Sequence, residues 1–338
     1  MPEMQGNPRL MPINQPTAGH ASRPLIVRLC NYVGDVILSV PALRLLEANG
    51  YELQLYGKGW AASLLAGEGW PCLTRAGSFG ERVGQLRQLK KDCQRSDAGF
   101  QARANILLMP NSFSSAFESW RAGLKPAGFA SDGRSLLLNR KLPSSNRLHA
   151  LEGFWDLASA FVNGAQQPPV EIDLKLPSTS QARADQLLSE QGIAAGFICI
   201  VPFAAGLVDK QDKKWPWFAE LSRHLLAQGH VLVICPGPGE EAAARTEYPD
   251  ACQLTGLDLP TYAAMLKRAA LVIANDTGPA HLAAAAGAPL LSLLGPTKAG
   301  QWLPWGASVD FVQGPGQSWP DLASVFSAVK KKLAGQAV

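Results

Sequence analysis

Short apolar runs alternate along this chain with segments whose apolar residues recur at helical spacing. RPLIVRLC (23–30), YELQLYG (51–57) and ANILLMP (104–110) are bounded by turn residues, which predicts strands. Helical patterns follow over Ser39–Asn49 and from about Trp60 to Ala66, and the loop NSFSS after residue 110 opens a further helix. The alternation breaks at QQPPVEIDLKLP (166–177), a proline-bounded extended stretch suited to a linker. It restarts with a helix over Ser180–Gln191, a strand in GFICIVP (196–202), a helix over Trp217–Gln228 and a strand in HVLVICPG (230–237). Helices over Glu240–Glu247 and Leu259–Ala269 come next, then a strand in ALVIAND (270–276), a helix over Ala280–Ala286 and a strand in PLLSLLG (289–295). An S-x-x-D pattern at Ser318 and Asp321 predicts a capping box for the last helix, whose C-terminal end carries Lys330–Lys332 where the helix dipole favours cations. Such alternation indicates parallel βαβ units. The expected architecture is α/β, with two doubly wound Rossmann-like halves over 23–168 and 179–338, a linker over 169–178, and a ligand cleft between the halves at the carboxyl ends of the strands.

Composition bounds this picture. The chain has 338 residues, 47% hydrophobic and 17% charged, which is globular and long enough for two domains of roughly 150 residues each. Its net charge of +4 suits anionic small molecules, and no basic stretch is interleaved with aromatics, which sets nucleic acid aside. The six cysteines form no C-x-x-C pair and read as reduced, mostly buried thiols of a cytoplasmic protein. Residues 1–22 are rich in Pro, Asn, Gln and Gly, with no apolar core of a secretory signal, and read as a disordered leader. The longest apolar stretch, Leu282–Gly295, is broken by Gly287 and Pro289 and is too short to span a bilayer. Lys330–Lys332 could lie against an anionic inner leaflet, although a solvated helix end accounts for them as well.

The candidate chemistry sits at strand ends. Asp35 follows the first strand, where it could cap the next helix or act as a general base. Lys213 lies in the polar loop before a helix, as a solvated residue or as a point charge for phosphate. Glu240 and Glu241 begin a helix after the strand at 230–237, where acids complement the dipole or accept hydrogen bonds from a ribose. Asp276-Thr277-Gly278-Pro279 ends one strand and starts a helix. Free amides near Thr277, Gly278 and Ala280 would make an anion site, with His281 one turn further on. Two G-x-G-x-x-A matches, at Gly57–Ala62 and Gly237–Ala242, lack the context of a dinucleotide fingerprint and read as turn glycines. No cofactor or metal is required by any motif.

Four blocks, in order, carry a resemblance: Val33-Gly-Asp-Val-Ile-Leu-Ser-Val-Pro41, Met109-Pro-Asn-Ser-Phe-Ser-Ser115, Asp212-Lys-Lys-Trp-Pro216, and Asp276-Thr-Gly-Pro-Ala-His281 with Leu294-Gly-Pro-Thr297. Together they resemble the lipopolysaccharide heptosyltransferases of glycosyltransferase family nine, over nearly the whole chain from Pro24. The P-N-S-F block is most similar to the branch that adds the second heptose. The resemblance implies a GT-B fold and an inverting, metal-independent transfer of a heptose from ADP-heptose to a lipopolysaccharide core acceptor. It implies that Asp35 is the base, that Lys213 faces the donor phosphates, that Asp276, Thr277, Gly278 and His281 cradle the donor, and that Glu240 or Glu241 binds its ribose. Gly34, Asn111 and Ser112 would lie on the acceptor side. The sequence departs from the family at Asn31-Tyr32, in the loop Ala204–Gln211 and at Pro279. Those departures leave the sugar of the donor and the identity of the acceptor open; the alternative readings are a transferase using another nucleotide sugar and a GT-B-like epimerase or hydrolase.

Overall fold

The computed structural model describes residues 23–131, 133–164, 167–204, 207–208 and 211–335; the leader expected over 1–22 lies outside them. The first half runs β1 (Arg23–Arg28), α1 (Val33–Ala48), β2 (Tyr51–Gly57), α2 (Gly59–Leu64), β3 (Cys72–Thr74), α3 (Phe79–Ser96), β4 (Ile106–Leu108), α4 (Phe113–Arg121), β5 (Pro126–Phe129), β6 (Arg140–Leu142) and α5 (Ala150–Val162). The second runs α6 (Ser178–Glu190), β7 (Ile198–Val201), β8 (Leu207–Val208), β9 (Gln211–Asp212), α7 (Phe218–Ala227), β10 (Leu232–Ile234), α8 (Glu241–Glu247) and β11 (Cys252–Gln253). It continues with α9 (Leu259–Arg268), β12 (Leu271–Asn275), α10 (Gly278–Ala285), β13 (Leu290–Leu294), α11 (Ala299–Trp302), β14 (Val309–Gln313) and α12 (Leu322–Ala334).

Each half holds a six-stranded parallel sheet, ordered β3-β2-β1-β4-β5-β6 and β11-β10-β7-β12-β13-β14. This is the same doubly wound order twice, and each sheet reverses direction beside its first strand, which is where such folds bind ligands. The central strands are buried on both faces, so they read as continuous apolar runs such as ICIV and LVIAN.

The halves are not independent globules. A single apolar cluster joins Val36, Val40 and Leu43 of α1 to Met265 of α9 and Leu282 of α10, and α1 packs directly on α5 and α10. The extended segment before α6 is fastened to both sides. Arg44 donates to the Ile172 and Asp173 carbonyls at 2.6 and 2.7 Å, and Leu174 N–H donates to Ala285 O at 2.7 Å. Gly67 is needed where this segment crosses, because a Cβ there would fall 1.9 Å from Lys175 O.

Two helix starts differ from expectation. α1 begins at Val33, six residues before Ser39, and carries buried Pro41 in its interior. At the last helix Asp321 is itself the N-cap, accepting from Ser324 N–H at 2.7 Å, so the box does not form through Ser318. Cys30, Cys93, Cys199 and Cys235 are buried free thiols, and Cys72 and Cys252 are half-buried.

Candidate active site

A cavity of about 950 Å³ opens between the halves, lined from the first by Tyr32–Asp35 and from the second by the carboxyl ends of β7, β10 and β12. Two helix N-termini meet at its floor. A methyl group at Gly34 would lie 2.8 Å from His281 Cδ2, and one at Gly278 would lie 3.2 Å from Val33 Cβ. The first turns of α1 and α10 therefore pack glycine against side chain in both directions, which aims two positive dipole ends into one space. Thr277 is the N-cap of α10, with no side-chain cap, and the Thr277 and Gly278 amides precede the first intrahelical bonds. The Ala280 amide, expected to be free, donates instead to Thr277 O at 3.1 Å, because the helix closes its first turn immediately.

Asp276 directly follows β12 and is buried. The Thr297 hydroxyl donates to its Oδ2 at 2.8 Å, and Lys213 Nζ stands 3.3 Å from the same oxygen. This carboxylate thus serves as the counter-ion that fixes the Lys213 ammonium at the cavity wall. Asn275 holds the frame behind it: its Oδ1 accepts from Trp215 N–H at 3.0 Å and its Nδ2 donates to Pro202 O at 2.7 Å. One wholly buried amide thereby ties the turn carrying Lys213 to the ends of β7 and β12. Asn275 was not among the expected site residues, although an amide closing the apolar run ALVIA is itself a signal.

His281 is buried, and desolvation lowers its pKa to about 4, so the ring is neutral at pH 7. Its 3.9 Å approach to Asp276 is therefore not an ion pair, and its Nδ1 is buried without a partner among the described residues. Asp35 lies in the first turn of α1, where it makes no capping bond. Its carboxylate is half-buried, and desolvation raises its pKa. No hydrogen bond or ion pair holds it among the described residues.

Glu240 and Glu241 separate in space. Glu240 lines the cavity and accepts from Gly237 N–H at 2.8 Å, whereas Glu241 turns away to accept from Gly239 N–H at 2.8 Å. Gly239 has φ +88°, a conformation only glycine adopts freely, so the Gly-Pro-Gly turn is what aims Glu240 inward. Among the described residues, no three His, Cys, Asp or Glu side chains are grouped to hold a metal ion.

The family model for glycosyltransferase family 9 (heptosyltransferase) matches residues 101–330. The chain belongs to this family. Lipopolysaccharide heptosyltransferase 3 of Escherichia coli is 30% identical over 143 residues, which are 40% of this chain and 42% of that protein, so the match spans less than half of the relative. The solved E. coli ADP-heptose lipopolysaccharide heptosyltransferase II is 19% identical, with a TM-score of 0.74 over 93% of this chain and all of that one. E. coli heptosyltransferase WaaC, solved with ADP-2-deoxy-2-fluoro heptose, is 20% identical with a TM-score of 0.66, again over 93% of this chain. At these identities the structural likeness is one of fold, and it is the GT-B fold expected from the sequence.

Within this family 9 chain, Gly34, Asp35, Lys213, Glu240, Asp276, Thr277, Gly278 and His281 all line the one cavity. Asn111 and Ser112, expected on the acceptor side, do not. Asn111 Oδ1 accepts from Arg134 at 3.2 Å, and Ser112 Oγ caps α4 by accepting from Ser115 N–H at 3.3 Å. Both serve the local structure of the loop after β4.

Proposed function

We propose that this family 9 protein transfers a heptose from ADP-heptose to a lipopolysaccharide core acceptor, in a single inverting displacement without a metal. The observation that carries the reading is Asp35: a half-buried carboxylate, with no hydrogen bond or ion pair among the described residues, on the wall of a cavity whose other wall offers Lys213 and a helix N-terminus. The acceptor hydroxyl oxygen would bond to the anomeric carbon while the bond from that carbon to the diphosphate oxygen breaks. ADP leaves with the electron pair, and Asp35 takes the hydroxyl proton. Charge building on the leaving diphosphate would meet the Thr277 and Gly278 amides, two helix dipoles and Lys213, and each well-placed donor of this kind is worth roughly 3 kcal/mol. Glu240 is the acid placed for the ribose, and Ile200, Ile234, Leu257, Leu259 and Tyr262 give an apolar wall for a purine. The enzyme would work in the cytoplasm on an acceptor anchored in the inner membrane.

The test is ADP release from ADP-heptose with and without core oligosaccharide. Release that depends on the acceptor supports transfer. Equal release without acceptor would assign hydrolysis or epimerase-like chemistry, and turnover of UDP- or GDP-sugars in its place would assign another donor. Asp35→Asn should lower transfer by roughly 10²–10⁴-fold while keeping the thermal shift given by the donor. Because burial raises the Asp35 pKa, the base form is lost on acidification at a higher pH than for an ordinary aspartate. The acid limb of kcat should reflect this and be missing from the residual rate of Asp35→Asn. Near-wild-type transfer by a folded Asp35→Asn protein would remove the base assignment.

A further inference from the structure

The helix α4 is packed inside out. Its buried face is Ser115, Ala116, Glu118 and Ser119, while Phe113 and Trp120, each 52% exposed, stand on the outer face with Phe117. The inward polar groups are all provided for. Ser115 Oγ donates to Ser112 O and Ser119 Oγ to Ser115 O, both at 2.8 Å, and Arg82 donates to Glu118 at 2.8 Å. The outward rings form a ladder. Phe113 and Phe117 stack at 6.1 Å, Phe117 and Trp120 at 6.0 Å, and Phe79, 42% exposed at the start of α3, stacks on Phe117 at 5.7 Å. Leu136, 90% exposed, lies in the 3₁₀ turn packed beside α4. Aromatic rings at helical spacing normally face the core, so an outward ladder marks a surface that meets something apolar.

Cations border it. Arg87 donates to Arg121 O at 3.3 Å, which brings its guanidinium to the C-terminal end of α4, where Arg121 is the last residue of the helix, and Lys90 Nζ lies beside Gly123 just beyond. The nearby acids are engaged elsewhere, Glu81 in the cap of α3 and Asp92 with Gln88 and Arg95. An aromatic face with a basic border is the arrangement that lies in a bilayer interface, with rings among the acyl chains and cations at anionic headgroups. Phe79 and Phe113 begin helices that leave the carboxyl ends of β3 and β4, the same edge of the sheet from which the Asp35 loop leaves β1. The expected alternative, Lys330–Lys332, is partly occupied. Lys332 donates to Ser308 O at 2.8 Å and pairs with Asp310 at 2.7 Å, and Lys330 sits 4.5 Å from the Phe326 ring centroid.

We propose that the aromatic face of α3 and α4 is a membrane-docking surface for anionic phospholipid, holding the cleft against the bilayer. The test is co-sedimentation of the full chain with phosphatidylglycerol-containing vesicles and with phosphatidylcholine vesicles, without turnover, so its outcome is separate from that of the transfer reading. Wild type should sediment with the anionic vesicles and be released by salt. Phe113→Ser/Trp120→Ser and Arg87→Glu/Arg121→Glu should each raise the lipid needed for half-binding by about tenfold or more, while Lys330→Ala/Lys331→Ala/Lys332→Ala binds as wild type. An unchanged thermal shift with ADP certifies that each variant is folded. Failure of wild type to bind anionic vesicles, or undiminished binding by both patch variants, overturns the proposal. So does a concentration-dependent dimer that the patch variants abolish, which would make a second copy the occupant. Equal loss of transfer to a delipidated soluble acceptor, with vesicle binding intact, would make the rings a sugar platform instead.

Discussion

Gly34→Ala tests the contact on which the site rests. The added methyl would sit 2.8 Å from His281 Cδ2 and 3.3 Å from Nε2, against a normal carbon–carbon contact of about 3.7 Å. The ring is buried, so relief must come from moving α1 away from α10. Two effects oppose each other. Alanine gains roughly 0.5–1 kcal/mol over glycine inside a helix, whereas overpacking of a tight contact costs about 1–3 kcal/mol. The net expectation is a loss of roughly 1 kcal/mol, and no more than about 2.5 kcal/mol, in urea unfolding. Because Asp35 is the next residue, a displacement of under an ångström should also lower kcat by roughly 10²-fold. A double-mutant cycle isolates the cause: in a His281→Ala background the methyl has room, and Gly34→Ala should become neutral or stabilising. A Gly34→Ala protein as stable and active as wild type, or one equally harmed without the His281 ring, would refute the reasoning.

Two further outcomes follow from the same site. His281 has its pKa lowered from 6.5 to about 4, so the unfolded chain binds the proton more tightly and stability falls as pH drops from 6.5 towards 4. Between pH 7 and pH 5 wild type should lose about 2 kcal/mol that His281→Asn does not lose, and parallel denaturation curves for the two proteins would contradict this. Asn275→Ala leaves the Trp215 amide and the Pro202 carbonyl buried without partners, which should cost roughly 2–4 kcal/mol and weaken donor binding through Lys213. A change of under about 0.5 kcal/mol by chemical denaturation would show that water replaces both bonds.

The central strands were legible because burial on both faces writes them as unbroken apolar runs, as in LVIAN and LLSLL. The edges were not: β6 is the polar triplet RKL and β11 only two residues, held by their neighbours more than by their own side chains. α3 left little trace because it buries only Val83, Leu86 and Cys93 among charged residues. The start of α1 was obscured by Gly34 and Pro41, residues that argue against a helix and are kept here by packing. Strand ends located Asp35, Lys213 and the residues after Asn275, since α/β folds gather function there. Neither spacing nor family pattern could show that Asp276 is engaged by Lys213 and Thr297, or that Gly239 turns Glu240 in and Glu241 out. Asn111 and Ser112 are expected on the acceptor side from the resemblance of their block; they lie outside the cavity, where Asn111 Oδ1 accepts from Arg134 and Ser112 Oγ from Ser115 N–H.

The apolar cluster shared by α1, α9 and α10 bears on how such a protein can be re-engineered. The two halves invite exchange between relatives as modules, since each has its own sheet. Here the seam runs through the core, and the His281 ring on α10 fits only a first half that keeps a glycine at position 34. A chimaera cut at the linker would join two sheets that are each correct and a core that is not. The transferable unit is the first half together with the α9 and α10 surfaces it packs on, not the first half alone.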